Sequence, residues 1–128
     1  MTNLTAYLAG PWADRAQVRA VRDELVAAGI PIQARWIDSH HEDESLVTDE
    51  VMGEEAMHDL EDVVKAPVLI VWNSMKSEGK AVETGVALAL MKDIILIGKP
   101  TNVFHYLPIC KVETVPQAIE AYNELMKL

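Results

Sequence analysis

Two carboxylates, Glu83 and Asp59, stand out among the 20 acidic residues of this 128-residue chain because each falls where an ordinary surface acid would not. Glu83 follows the apolar run Val68-Leu69-Ile70-Val71-Trp72 and a polar loop over residues 73–79, in what reads as the first turn of a helix beginning near Lys80. Unpaired backbone N–H groups and the helix dipole favour an ionised carboxylate there, the form a nucleophile needs. Asp59 shares the helical spacing 52, 56, 59, 63 with Met52, Ala56 and Val63, whereas Glu54, Glu55, Glu61 and Asp62 fall mostly on the opposite, wet face. A carboxylate turned toward a core is costly unless paired or in use. Two carboxylates from different elements in one cleft permit a division of labour: one is nucleophile or base, the other acid or orienting group. Glycosidic bonds are cleaved in this way. The residue types leave the bond unspecified, and a solvated first-turn glutamate with a boundary aspartate is the plain alternative.

The elements that must position these groups alternate along the chain. Residues 4–9 read as a strand ending at Gly10-Pro11, and residues 12–28 as a helix with Val18, Val21, Leu25 and Ala28 inward. Gly29 stops that helix, and residues 30–37 read as a second strand, completing a right-handed crossover unit. An acidic loop leads to a helix over 46–65 whose apolar positions are Val47, Val51, Met52, Ala56, Leu60, Val63 and Val64. The strand 68–72, the Glu83 helix with its stripe Val82, Val86, Ala89 and Leu90, and a strand at 94–98 follow. Gly85 inside that helix points to something packed close. A loop over 99–107, a short strand at 109–112 and a helix over 115–126, capped by Thr114 with Pro116 near its first position, close the chain. The expectation is one domain over residues 1–128, an α/β three-layer, doubly wound fold with about five parallel strands. In such a sheet the crevice beyond the carboxyl ends of the strands gathers Tyr7 with Gly10-Pro11-Trp12, the stretch 35–41, and the stretch 73–83.

Composition narrows the partners. A formal net charge of −9 argues against binding a nucleic acid polymer, which rests on neutralising phosphates, so a nucleic-acid component would enter as a small molecule. No apolar run reaches membrane-spanning length and no cleavable leader pattern opens the chain, which leaves the cytoplasm as the expected compartment. The single cysteine, Cys110, excludes an internal disulfide and reads as a small buried residue. The run His40-His41-Glu42-Asp43 lacks the spacing of a fixed metal site, and no metal or organic cofactor is expected.

Three motifs together resemble the nucleoside 2-deoxyribosyltransferase superfamily, which includes the 2′-deoxynucleoside 5′-monophosphate N-hydrolases. They are Tyr7-Leu8-Ala9-Gly10-Pro11, Asp59-Leu60, and Ser77-x-Gly79-x-x-x-Glu83-x-Gly85-x-Ala87-Leu88. The resemblance spans nearly the whole chain and implies a flavodoxin-like fold. It implies that Glu83 attacks the anomeric carbon to form a glycosyl-enzyme, that Tyr7 positions it, and that Asp59 assists at the sugar or the leaving base. It also implies a substrate-binding role for His41 or His40, for Gly79 beside Ser77, and for Gly10 with Arg15 as a phosphate cradle. Ser77, six residues before Glu83, matches the members that hold a 5′-phosphate, where transferases acting on free nucleosides tend to carry aspartate; a plain helix cap is the other reading. At least a homodimer is implied, with sites near subunit contacts. The chain ends Tyr122-Asn123-Glu124-Leu125-Met126-Lys127-Leu128, which does not match the asparagine-containing signature that transferases contribute from a neighbouring subunit. The expected activity is therefore hydrolysis of a small nucleotide. Base exchange between nucleosides is the first alternative, and a non-catalytic nucleotide-binding module the second. The aromatics of the 101–107 loop could stack on a base or fill a subunit contact.

Overall fold

An apolar run with no polar alternation must be covered on both faces. The computed structural model, which describes residues 3–39 and 46–128, sets three such runs side by side in one parallel sheet. Strand β1 (Ala6–Ala9) pairs with β2 (Val68–Trp72), Tyr7 beside Leu69, and β2 pairs with β3 (Asp93–Ile97), Ile70 beside Ile95. Strand β4 (Cys110–Val112) completes the order β1-β2-β3-β4.

The sheet has four strands where about five were expected. Of the stretch 30–37, a single residue, Ile32, bridges to Ala6 on the free side of β1. Pro31 brings no N–H to a ladder, and at Arg35 the chain leaves the sheet edge for a short 3-10 turn, Arg35–Asp38. Asp62 holds it there. Its carboxylate accepts from the Arg35 main-chain N–H at 3.0 Å and from the guanidinium at 2.9 Å. The winding still reverses at β1: the chain runs out to Ile32 on one side and returns to β2 on the other, so the crevice opens above β1 and β2.

Helices α1 (Arg15–Ala27) and α4 (Val115–Met126) contact each other on one side of the sheet; α2 (Asp49–Lys65) and α3 (Glu78–Ala89) contact each other and form the other layer. In α1 Val18, Val21 and Leu25 are buried as expected, while Ala28 lies past the helix end and is exposed. Thr114 and Gln117 form a reciprocal cap at the start of α4, and the Tyr122 hydroxyl donates to the Leu4 carbonyl at 2.5 Å.

The other layer departs from the expected stripes. In α2, Asp62 and Val63 are buried, whereas Met52, Ala56, Leu60 and Val64 are exposed, so Asp62 belongs to the inner face. Its ion pair with Arg35 makes that burial tolerable. Helix α3 starts at Glu78, two residues earlier than read from the sequence, with Ser77 as its cap. Glu83 therefore sits in the second turn. The buried residues of α3 are Lys80, Glu83, Thr84 and Ala87, while Val82, at the cleft, and Leu90, just past the helix end, are 59% and 51% exposed. Gly85 is open: a Cβ added there would meet nothing within 4 Å. Cys110 is exposed, because β4 is a short edge strand.

Candidate active site

Tyr7 is the second residue of β1 and is wholly buried, its ring directed at the layer that carries α3. Its hydroxyl donates to Glu83 Oε2, which joins the first strand to the second turn of α3. Burial pushes the Tyr7 phenol far above its usual range, and the charges of Glu83 and Asp59 push it further; Tyr7 is a fixed proton donor. Burial likewise raises Glu83 to about 8, against the pull of the Tyr7 hydrogen bond and with a further push from Asp59. The ionised form expected from a first-turn position is thus disfavoured, since the carboxyl lies deeper than that turn and is buried. Asp59, half-buried in α2, is raised to about 6, first by burial and then by the charges of Asp62 and Glu55, with His58 and Arg35 opposing.

Glu83 and Asp59 line a cleft of about 770 Å³, within the range of small-molecule sites, with Tyr7 buried behind Glu83. Gly10, Trp12, Arg35, Trp36, Asp59, Ser77, Gly79, Lys80 and Glu83 all contribute to its wall. Gly10 is needed for packing, because a Cβ there would stand 2.7 Å from Val18 Cγ2. Trp12 and Trp36 form a tilted aromatic pair with ring centroids 6.3 Å apart, and the Trp36 indole donates to the Leu8 carbonyl at 2.9 Å. Asp14 ties the loop after β1 to the end of β2, accepting from the Trp72 indole at 2.8 Å and the Ser74 hydroxyl at 2.7 Å.

Of the residues singled out in the sequence, Tyr7 touches Glu83, and Asp59, Gly10, Ser77 and Gly79 line the same cleft. Ser77 Oγ accepts from the Lys80 main-chain N–H at 3.3 Å, a capping contact. Arg15 is placed differently from a phosphate cradle: its guanidinium lies over the Trp12 ring, 4.6 Å from the centroid, and donates to the Trp12 carbonyl at 3.2 Å. It braces the aromatic wall. His40 and His41 lie outside the described residues. Phe104 and Tyr106 are exposed and do not line the cleft.

Three features escaped sequence reasoning: the buried Lys80, the indole of Trp36, and the Ser39 hydroxyl, which is buried at the cleft without a hydrogen-bond partner among the described residues. Lys80 had a usable signal, since it precedes Glu83 by three residues and must share its face. Among the described residues no cluster of three His, Cys, Asp or Glu side chains could hold a metal, and no helix is long and apolar enough to cross a membrane.

No protein-family model matches the sequence, and no curated protein does. Solved structures do share the fold. A conserved protein from Enterococcus faecalis V583 superposes with a TM-score of 0.72 at 16% identity, over 96% of this chain and 99% of its own. A 2-deoxyribosyltransferase from Bacillus psychrosaccharolyticus gives 0.71 at 20% identity, over 90% of each chain. The CMP N-glycosidase BcmB of Clostridium botulinum gives 0.57 at 13% identity, over 94% of this chain and 98% of its own. The chain thus has the three-layer, flavodoxin-like α/β fold of a deoxyribosyltransferase and of a nucleotide N-glycosidase.

Proposed function

We propose that the protein is an enzyme that cleaves the N-glycosidic bond of a small nucleotide, a 2′-deoxynucleoside 5′-monophosphate, with water as the final acceptor. The observation that carries this reading is the hydrogen bond from the Tyr7 hydroxyl to Glu83 Oε2, in a cleft that Asp59 also lines. Ionised Glu83 attacks the anomeric carbon as the bond to the base breaks, and Asp59 supplies the proton that the departing base takes up. The product of this step is a glycosyl ester on Glu83. Water then attacks the same carbon, giving its proton to the Asp59 carboxylate, and frees the sugar phosphate with Glu83 restored. A carboxylate held away from water is, once ionised, a stronger nucleophile than a solvated one, and the burial that raises Glu83 to about 8 provides that setting. The Tyr7 proton fixes which oxygen faces the sugar.

Incubating the protein with a panel of nucleosides and nucleoside monophosphates, and following free base by chromatography, tests the proposal. Release from the monophosphates is expected; no release from any member of the panel rejects it. Base exchange is a second reading, supported by the likeness to the Bacillus psychrosaccharolyticus transferase. Adding a second free base distinguishes the two, since exchange faster than hydrolysis makes the protein a transferase. We also place the reaction in the cytoplasm, in a homodimer or larger homo-oligomer. The exposed Met57 and Val64 of α2 and Leu90 just past α3 are the apolar residues we assign to its contact surface. Sedimentation at micromolar concentration should find no monomer.

A further inference from the structure

Helix α3 is joined to the rest of the molecule by few directional contacts. Among the described residues, the only α3 side chains hydrogen-bonded to other parts of the chain are Glu83, which accepts from Tyr7, and Lys80. Ala87 is its one fully buried apolar residue, with Val86 and Leu88 half-buried beside it. Apolar burial is non-directional, so this contact fixes the slide and roll of α3 less sharply than a hydrogen bond does. Lys80 lies one turn before Glu83 on the same face and is 3% exposed. Its ammonium donates to Asn73 Oδ1, just past β2, and to the Met75 carbonyl oxygen in the loop that follows. Burial lowers the Lys80 pKa to about 8, which leaves the amine mostly protonated at neutral pH, and a charged donor makes the stronger hydrogen bond.

The Asn73 acceptor is itself fixed. Asn73 is buried; its main-chain N–H donates to the Ile97 carbonyl at 2.9 Å and its Nδ2 to the Lys99 carbonyl at 2.6 Å, which leaves Oδ1 for Lys80. This seat depends on Gly98, whose φ of +121° suits glycine and where a Cβ would stand 2.9 Å from the Asn73 carbonyl oxygen. Of the connection 73–77, Asn73 alone is tied to the sheet by its main chain. The ends of β2 and β3 therefore hold the ammonium, and the ammonium holds the start of α3. The proposed chemistry gives a reason for this second hold. When the Glu83 carboxylate becomes a glycosyl ester it loses its charge, and the hydrogen bond it accepts from Tyr7 weakens. An anchor resting on the reacting group alone would change in mid-reaction, whereas Lys80 is bonded to groups that do not react.

We propose that Lys80 is a positioning residue: clamped to Asn73 and the Met75 carbonyl, it fixes the slide and roll of α3 and so the meeting of the Glu83 carboxyl with the Tyr7 hydroxyl. That the carboxyl so placed attacks a sugar rests on the N-glycosidase reading; the clamp does not. The test compares the parent with Lys80→Met, which keeps the apolar stem and removes the donors, and with Lys80→Gln, which keeps a donor. The first readout is nuclear magnetic resonance of the Tyr7 hydroxyl proton, identified by its loss in Tyr7→Phe and expected far downfield in the parent. In Lys80→Met it should move upfield or broaden away while the helix content by circular dichroism is unchanged, and in Lys80→Gln it should move less. The second readout is base release from the nucleoside monophosphates. Lys80→Met should lower kcat by roughly 10- to 100-fold with KM within about 2-fold of the parent, and Lys80→Gln should fall between the two. A resonance missing from the parent, or unchanged in Lys80→Met, overturns the inference, as does a kcat that holds or a loss carried by KM instead. Should one variant unfold, the other decides; unfolding of both overturns the inference, since Lys80 would then hold the fold and not the nucleophile. A parent that releases no base from any substrate, yet whose resonance moves in Lys80→Met, sinks the enzyme reading and leaves the clamp standing.

Discussion

Helices α1 and α3 flank the same strands and obey opposite rules. In α1 the inner face is Val18, Val21 and Leu25, and Arg22 outside pairs with Asp23 and Asp38. In α3 the inner face is Lys80, Glu83, Thr84 and Ala87, while Val82 is exposed at the cleft and Leu90 is exposed just past the helix. The first helix covers a part of the sheet that needs only packing, whereas the second walls a crevice that must hold charge. Its polar groups are tolerated because each has found a partner: Glu83 has Tyr7, Lys80 has Asn73 and the Met75 carbonyl, and Thr84 donates to the Lys80 carbonyl at 2.8 Å. A helix with its polar side inward is therefore a mark of a site.

The sharpest way to break this contrast is Glu83→Gln. Base release should fall on the order of 10⁴-fold or more, while the fold survives. The same variant should melt higher than the parent at alkaline pH. A carboxyl whose folded pKa of about 8 exceeds its ordinary 4.5 holds its proton more tightly in the native state. Its contribution is intact below pH 4.5 and is lost as pH rises through 8. Above pH 8 the glutamine variant should gain on the order of 5 °C in thermal melts, a gap that closes at pH 4.

Leu25→Ala in α1 should do the reverse, costing about 2–5 kcal/mol in denaturant unfolding with KM unchanged in the folded fraction. If it alters KM first, α1 is not a passive partner. Tyr7→Phe removes the positioning proton and should lower kcat by roughly 10²-fold, about 3 kcal/mol, with little change in KM. In the parent, kcat/KM should follow a bell with limbs near 6 and 8, from Asp59 and Glu83. A single rising limb near 8 would instead assign Asp59 an orienting role in its ionised form. The smallest effect is expected for Leu90→Lys: stability of the monomer within ~0.5 kcal/mol of the parent, with a shift toward monomer in sedimentation.

The sequence made the alternation of strands and helices legible, together with Glu83, Asp59 and Tyr7 as one group, because buried parallel strands are continuous apolar runs and their ends face one crevice. The second strand was misread because Ile30, Ile32 and Ile37 look like a strand until Asp62 is known to hold Arg35. That contact spans 27 residues and leaves no local trace. The stripes of α2 and α3 were misread for a related reason. Periodicity reports which residues are apolar, and the side on which a polar site lies is set by the strands underneath. Arg15 was assigned to a ligand by its place near a helix start, yet its stacking on Trp12 depends on where that indole turns.

One consequence concerns light. All three tryptophans of the chain lie at the same end: Trp12 and Trp36 in the wall of the cleft, and Trp72 tied to Asp14 beside them. Ultraviolet emission from this protein is therefore a local signal from the crevice, while the amide absorption of the four helices reports the whole. Denaturant curves followed by the two signals should coincide if the loops open with the fold. An emission change at lower denaturant would reveal a separate, earlier loosening of that end.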